Sequence, residues 1–236
     1  MPCIPNSNFM NNPRYILWLL LIGFFSVSVT GQEGKVVRDI GLWTGAEIEK
    51  DVKEWTFSLK QEVRLKTNMS EMNNYFTQAG IRYRISRNFA LDAKYRFTRD
   101  KKGDGSYVNQ SRYSLDLRYR GRLDFITIDY RLRYQKEVEG FRLLDMNEPY
   151  EKYVRNRIKV RYTDIRKLEP FISGEIFQLF RVNHFPQFHY YRIQAGVQYE
   201  PGNFGAFRLA WGFNREITDN QPATIYMFRV NYIYAF

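Results

Sequence analysis

The sequence predicts an all-β chain that folds as a single antiparallel, up-and-down transmembrane β-barrel of ten to twelve strands. Three observations support this fold class. Apolar and polar residues alternate with period two along eleven separate runs, which is the pattern of β-strands with two unlike faces. Aromatic residues concentrate near the ends of these runs, and charged residues concentrate on one of the two faces. No helical pattern of any length follows Gln32.

The composition agrees with a barrel and excludes a bundle of membrane helices. Charged residues make up 26% of the 236 residues and aromatic residues 17%. The mean hydropathy is −0.51, which is too polar for several membrane helices. A barrel can be this polar because only every second residue of a strand faces lipid. The single Cys3 permits no internal disulfide and no cysteine-based metal site.

The first 31 residues have the features of a secretory signal peptide. An apolar run from Tyr15 to Phe25 follows Arg14 and is shorter than the roughly 20 residues that a membrane helix needs. The small residues Val29-Thr30-Gly31 then offer a cleavage site. We therefore expect residues 1–31 to be removed on export and residues 32–236 to form the barrel domain in the cell outer membrane.

The alternating runs give the strands in order along the chain. They cover residues 42–49, 55–65, 75–84, 89–98, 112–120, 126–134, 154–162, 172–177, 191–199, 207–214 and 226–236. At roughly 3.3 Å per residue and about 45° tilt, ten residues rise on the order of 25 Å, the height of an outer-membrane apolar band. Bacterial barrels have an even strand number. We therefore expect twelve strands if residues 32–40 add one, or ten if one run is incomplete.

Aromatic residues and turns are both sorted by height. One aromatic level comprises Trp55, Tyr83, Tyr119, Tyr162, Tyr199 and Tyr234, and the other comprises Tyr75, Tyr95, Tyr113, Tyr134, Tyr191, Phe213 and Tyr226. Two such girdles around an aliphatic band are typical of a membrane slab. Short turns at 86–88, 121–122, 164–166 and 200–202 alternate with loops at 67–73, 100–109, 137–152, 181–189 and 216–223. We expect the apolar residues of the 137–152 loop to enter the lumen or to contact a partner.

The excess positive charge of the chain lies on the faces that do not meet lipid. These faces carry eighteen basic and seven acidic residues, which argues against a nucleic-acid surface. The basic residues predicted to line the lumen are Arg82, Arg84, Arg118, Arg131, Arg133, Arg155, Arg157, Lys159 and Arg161. Two interpretations remain open: pairing with carboxylates as structural filling, and a narrow anion-favouring pore.

One row of cations is especially dense. Arg155, Arg157, Lys159 and Arg161 alternate along one strand, about 6–7 Å apart. Glu175 is the only acidic residue near them in sequence on the next strand. The row therefore predicts counter-ions, ordered water or a bound anionic group.

No catalytic, cofactor or metal site is predicted, and the chain is expected not to be an enzyme. His184 and His189 share one loop without a nearby serine. An outer-membrane lipid hydrolase with one of them as general base is the first alternative. The second is a soluble periplasmic barrel that binds an apolar ligand, which requires the Tyr, Leu and Ile faces to point inward.

Four stretches resemble a known family. They are Gly41-Leu42-Trp43-Thr44, Tyr130-Arg131-Leu132-Arg133-Tyr134, Arg155-Asn156-Arg157 and Tyr232-Ile233-Tyr234-Ala235-Phe236. These resemble the outer-membrane barrel family catalogued as domain of unknown function 2490. The resemblance implies the fold and the location but no activity, so no functional residues carry over.

The resemblance to bacterial barrels, which commonly end in Phe, gives the last strand a further role. Tyr232, Tyr234 and Phe236 lie on one face of this strand. They are interpreted as the barrel-closing signal that the barrel-assembly machinery reads, with Phe236 at the periplasmic rim. The expected partners are this machinery and outer-membrane lipid, with no nucleic acid, and the barrel is expected to be monomeric.

Overall fold

The structure is a computed structural model that describes residues 38–140, 150–181, 185–202, 204–217 and 222–236. These residues form eleven strands. They are β1 (Arg38–Val52), β2 (Trp55–Lys66), β3 (Glu71–Arg84), β4 (Phe89–Lys101), β5 (Tyr107–Leu123), β6 (Ile126–Glu139), β7 (Tyr150–Tyr162), β8 (Leu168–Phe180), β9 (Gln187–Tyr199), β10 (Ala206–Glu216) and β11 (Thr224–Ala235). The expected signal peptide and the apolar residues of the 137–152 loop lie outside the described residues. Nowhere in the described ranges is there a helix long and apolar enough to cross a membrane.

The strands close into one barrel in which each strand pairs with its neighbours in sequence, and β1 pairs with β11. The expectation of an even strand number is wrong, because the barrel has eleven. Residues 38–40 lengthen the first strand instead of adding another. An odd number of alternating strands leaves the first and the last running in the same direction. The β1–β11 seam is accordingly parallel over twelve residue pairs, from Arg38↔Thr224 to Glu49↔Ala235, while all other pairings are antiparallel.

The two faces predicted from the alternation are confirmed. Leu59 on β2, Leu115 on β5 and Ile158 on β7 face outward and are more than half exposed. Their neighbours on the opposite face, such as Lys60 and Arg157, line a central cavity. Even β8, which has the least clear alternation, places Ser173, Glu175 and Phe177 inside and leaves Ile172 outside. Period two alone was sufficient to assign the faces, because a barrel strand has a single inside and a single outside.

The connections differ in length between the two ends of the barrel. At one end, the short-turn end, the connections are 53–54, 85–88, 124–125, 163–167 and 200–205. At the other, the long-loop end, they are 67–70, 102–106, 140–149, 181–186 and 217–223. The sorting agrees with the prediction, although several loops are shorter than expected because the strands continue further. Phe236 lies at the short-turn end, where its backbone N–H donates to Glu49 O at 3.1 Å.

Outward-facing aromatic side chains contact one another within each predicted level. At the short-turn end, the ring centres of Trp55 and Tyr83 are 4.6 Å apart. At the long-loop end, Tyr95 and Tyr113 are 5.1 Å apart, and further contacts join Tyr191, Phe213 and Tyr226. Aliphatic residues occupy the band between these levels. At each level, some of the predicted aromatic residues are therefore in direct ring contact.

The parallel seam predicts which engineered cysteine pairs form disulfides. Ile40 faces Tyr226, and Ile48 faces Tyr234. Neighbouring strands lie about 4.8 Å apart, which a disulfide can bridge. With Cys3 replaced by Ser, the variants Ile40→Cys/Tyr226→Cys and Ile48→Cys/Tyr234→Cys should oxidise readily, as read from gel mobility with and without reductant.

The matched control is Ile40→Cys/Tyr234→Cys. In the parallel seam these positions are about 25 Å apart along the strands and should remain reduced. An antiparallel closure would bring them together. Efficient oxidation of this pair would therefore contradict the eleven-strand closure.

Candidate functional site

The lumen contains a cavity of about 840 Å³ lined chiefly by charged side chains. It extends from Arg112 and Asn214 in the long-loop half to Gly202 and Ala235 at the short-turn end. Seventeen Lys and Arg residues line it, against six Asp and Glu residues. At about 30 Å³ per molecule, the cavity has room for on the order of 25–30 waters. The lumen is thus a strongly cationic cavity with room for water.

Eight of the nine basic residues expected to line the lumen do line this cavity. They are Arg82, Arg118, Arg131, Arg133, Arg155, Arg157, Lys159 and Arg161. The expectation for Arg84 is wrong, because this residue ends β3 at the short-turn end and its side chain is exposed. Alternation assigns the correct face to Arg84, but it does not show how far the enclosed part of the strand extends.

Four buried carboxylates hold most of the interior cations. Glu62, Asp92, Asp116 and Glu175 are each at most 7% exposed. Glu62 pairs with Lys60 and Arg64, and Asp92 pairs with Arg82, Lys94 and Arg118. Asp116 pairs with Arg118 and Arg133, and Glu175 pairs with Arg131, Arg155 and Arg192. Each carboxylate is therefore shared by two or three cations, which lowers the cost of burying the charges.

The pair between Asp116 and Arg133 has the most complete geometry. Arg133 Nε donates to Asp116 Oδ1 at 2.5 Å, and Nη2 donates to Oδ2 at 2.7 Å. Two parallel charge-assisted hydrogen bonds of this kind are among the strongest side-chain contacts. Asp116 lies on β5 directly opposite Arg133 on β6, so the strand register itself sets the pair.

The dense row on β7 is better compensated than the sequence suggested. Arg155 contacts Glu175 at 2.9 Å, as the sequence allowed. Arg161 contacts both Asp129 on β6, at 2.9 Å, and Glu169 on β8, at 2.8 Å. The expectation that Glu175 would be the only carboxylate to pair with this row is therefore wrong. Carboxylates on both neighbouring strands, β6 and β8, form ion pairs with it inside the lumen.

Five cavity-lining cations have no carboxylate within 4 Å among the described residues. They are Arg96, Arg157, Lys159, Arg208 and Arg229. Arg96 and Arg208 instead donate to the amide oxygens of Gln78 and Gln198. The buried Nε atoms of Arg157 and Arg229 have no hydrogen-bond partner within the part of the chain that the structure describes. Positive charge therefore remains uncompensated inside the barrel.

Arginine and aromatic side chains alternate around the long-loop half of the lumen, in a set that we call the arginine–aromatic layer. In spatial order its members are Arg96, Phe76, Arg64, Trp43, Arg192, Phe177 and Arg155, with Arg229 also on Trp43. The guanidinium carbons lie 3.7–5.2 Å from the ring centres. Desolvated cation–π contacts of this type contribute up to about 2 kcal/mol each. The layer holds its cations against aromatic rings inside the lumen.

Sequence reasoning missed this layer, although it assigned the members to the inner face. Trp43, Phe76 and Phe177 are separated by long stretches of sequence, so alternation could not show that they share one height. A usable signal was nonetheless present. Bulky aromatic residues on the faces that otherwise carry Arg and Lys are unexpected in a water-filled lumen.

The structure describes only one of the two histidines considered as a general base. His184 lies outside the described residues, and the ring of His189 packs 6.1 Å from Tyr153 and 5.2 Å from Tyr190. In the described ranges, no three His, Cys, Asp or Glu side chains group as a metal ion would require. In the 102–106 loop, the Ser106 hydroxyl and backbone N–H donate to Asp104, which lowers the pKa of that carboxyl below its usual range.

The C-terminal residues are held at the short-turn end. The Tyr232 hydroxyl donates to Phe204 O at 2.7 Å, and the rings of Tyr234 and Phe236 are 5.8 Å apart. Tyr234 and Phe236 are exposed on the outer surface. These contacts fit a rim position, while recognition by assembly machinery stays a prediction.

Comparison with known proteins places the chain in a family. Residues 40–220 match the family described as protein of unknown function DUF2490, so the chain belongs to that family. Neither the curated proteins nor the solved structures gave a match.

The buried pair predicts a large stability difference between two arginine substitutions. Arg133→Gln leaves the buried Asp116 with Arg118, 3.6 Å away, as its one ion-pair partner within 4 Å among the described residues. We expect the variant to lose about 3 kcal/mol of unfolding free energy, the lower end of the range for a broken buried pair.

Arg120→Gln is the matched control, since Arg120 pairs with Asp129 but is 61% exposed. It should change stability by about 0–1 kcal/mol. Urea unfolding in detergent, followed by tryptophan fluorescence, measures both. Equal, small losses for the two variants would show that the buried network does not hold the barrel.

Proposed function

From its membership of this family of unknown function, we propose that the chain is a non-enzymatic outer-membrane protein whose barrel is a narrow, anion-favouring passage. The observation that carries the proposal is the distribution of polarity. The outer surface is apolar, whereas the cavity inside is lined by cations. The apolar outer surface supports the membrane location, and the cationic interior supports the preference for anions.

Support for the membrane comes from the aliphatic band on the outer surface. Its members include Ile48, Leu59, Leu91, Leu115, Ile158 and Leu209, which are 49–62% exposed. Soluble proteins rarely expose contiguous apolar areas of this kind, because each Å² left in water costs about 25 cal/mol. A closed barrel can bury this band in lipid because every strand edge is paired, which leaves no backbone group unsatisfied. The two aromatic levels that flank the band support the same environment.

A soluble barrel that binds an apolar ligand is not supported. That alternative requires the Tyr, Leu and Ile faces to line the cavity. The cavity is lined instead by Arg, Lys, Asp and Glu, with few apolar side chains such as Trp43 and Ile233. An apolar ligand placed there would displace solvent from charges without providing hydrogen bonds, which is unfavourable.

Support for anion preference comes from the uncompensated cations. Lumen rings of Arg and Lys raise the local concentration of anions and exclude cations. Seventeen cations against six anions line the cavity, and five of those cations have no ion pair among the described residues. The arginine–aromatic layer lies along the proposed passage.

The proposed orientation places the short-turn end in the periplasm. Short turns are typical of the periplasmic side of outer-membrane barrels. Phe236 then lies at the periplasmic rim, where assembly machinery would read the C-terminal strand. In this proposal the partners are that machinery and outer-membrane lipid, nucleic acid is not bound, and the barrel acts as a monomer.

Bilayer recordings test the proposed passage. In a salt gradient, the wild-type barrel should show a reversal potential of the sign for anion preference. The variant Arg157→Gln/Lys159→Gln should reduce this preference, because it removes two cations without leaving a carboxylate unpaired. The row variants that also remove Arg155 and Arg161 are less suitable, since those residues hold Glu175 and Asp129.

The control is Arg215→Gln, which removes an exposed charge from the outer face of β10. It should retain the wild-type reversal potential. A wild-type barrel that is folded, as judged by heat-modifiable gel migration, yet carries no current would show that the lumen is structural filling and not a passage. Equal selectivity of wild type and Arg157→Gln/Lys159→Gln would show that Arg157 and Lys159 do not determine the anion preference.

A further inference from the structure

Three cations without ion pairs among the described residues line the cavity in its short-turn half. Arg157 and Lys159 are successive inward residues of β7, about 6–7 Å apart. Arg208 on β10 lines the same cavity. Lys159 and Arg208 both lie in the short-turn halves of their strands. We call Arg157, Lys159 and Arg208 the triple-cation cluster.

From this arrangement we propose that the triple-cation cluster binds a small multivalent oxyanion of the phosphate type. The inference rests on the anion-favouring lumen proposed above and names the occupant of that lumen. Three enclosed cations repel one another, and such charges are normally paired or bound to a ligand. A single chloride would offset one charge, whereas a phosphate group offsets nearly two and accepts several hydrogen bonds at once.

The cluster is held in place by neutral neighbours that leave donors free. Gln198 Oε1 accepts from Arg208 Nε at 3.0 Å and from Nη2 at 2.6 Å, so part of the guanidinium remains available. The Lys159 ammonium lies 3.9 Å from the centre of the Phe171 ring, which positions it without neutralising it. The Nε–H of Arg157 is a buried donor with no partner among the described residues. Positioned donors of this kind are pre-organised for an oxyanion.

Four carboxylates limit where the anion can lie. Asp129 and Glu175 lie opposite Lys159 and Arg157 in the strand register, but both carboxylates already pair with other cations. Glu47 and Glu49 on β1 line the same cavity as Arg208. Neither forms an ion pair within 4 Å among the residues that the structure describes. An oxyanion would therefore lie on the β7 side, against Arg157 and Lys159, with Arg208 closing the site. Removal of the Glu47 and Glu49 charges should therefore strengthen anion binding, whereas removal of the cations should weaken it.

Binding of inorganic phosphate to the full barrel in detergent tests the inference. Isothermal titration should show that wild type binds phosphate at least tenfold more tightly than chloride. Arg157→Gln/Lys159→Gln should weaken phosphate binding at least tenfold, and Arg208→Gln alone should weaken it less. Arg215→Gln should bind as wild type does.

The variant Glu47→Gln/Glu49→Gln should bind phosphate more tightly than wild type, because it removes repulsion and keeps all three cations. A general loss of structure cannot produce tighter binding, so this variant keeps the test decisive if the cation variants fold poorly. The inference is overturned if phosphate binds no better than chloride, or if removal of both glutamates leaves the affinity unchanged.

Two sources of the phosphate group can be distinguished in nanodiscs. If phosphate affinity is the same in discs with and without phosphatidic acid, the occupant is a soluble oxyanion. If phosphatidic acid abolishes phosphate binding, the occupant is a lipid headgroup that enters at the short-turn end. Either result supports the site.

Phosphate titration tests the oxyanion site, and bilayer recordings test the passage, so the two proposals can fail independently. Anion-selective current without phosphate binding would refute only the oxyanion site. Phosphate binding without any current would refute only the passage and leave a chamber that binds its ligand from one side.

Discussion

Burial of arginine and lysine inside a closed cylinder is the constraint on which the rest of the structure depends. These cations lie along the enclosed length of the strands, so partners for them are supplied within the lumen. Glu62, Asp92, Asp116 and Glu175 supply most of them, each shared by two or three cations. Aromatic rings and amide oxygens hold several of the remaining cations. Because the charged faces are committed to the interior, the apolar faces are left on the outside, and the barrel is inverted relative to a soluble protein.

Closure with eleven strands follows from how the first and last strands meet. An up-and-down chain alternates direction at every turn, so an odd number leaves β1 and β11 parallel. The seam nevertheless pairs twelve residues, and it retains the division of outward and inward faces. Its consequence is topological: Arg38 lies at the long-loop end, whereas Phe236 lies at the short-turn end.

The sequence could predict the faces of the strands but not how the strands meet. Alternation placed Glu175 and Arg133 inside because facing depends only on a residue's own strand. The eleven alternating runs correspond to the eleven strands, and only the expectation of an even number was wrong. The parallel seam was not predictable, since closure depends on the register between residues almost 200 positions apart. For the same reason the partners of Arg161 were missed: Asp129 and Glu169 reach it from two flanking strands. Arg84 was misplaced because alternation gives the side of a strand and not the limit of the enclosed lumen.

The arginine–aromatic layer and the triple-cation cluster together divide the lumen into two regions of different chemistry. In the long-loop half, rings separate the guanidinium groups and fill the space between them. Towards the short-turn end the space is open, and Arg157, Lys159 and Arg208 face it without carboxylate partners among the described residues. The lumen therefore has cations held against aromatic rings in one half and cations without carboxylate partners among the described residues in the other.

The inverted polarity is tested most directly by quenching of tryptophan fluorescence with lipids brominated at mid-chain. Single-tryptophan variants would retain Trp211 or Trp55 on the outer surface, or Trp43 inside, with Trp18 replaced by Phe throughout. The account predicts strong quenching of Trp211 near the middle of β10, weaker quenching of Trp55 at the strand end, and least quenching of Trp43. Quenching of Trp43 that equals or exceeds that of Trp211 would contradict it.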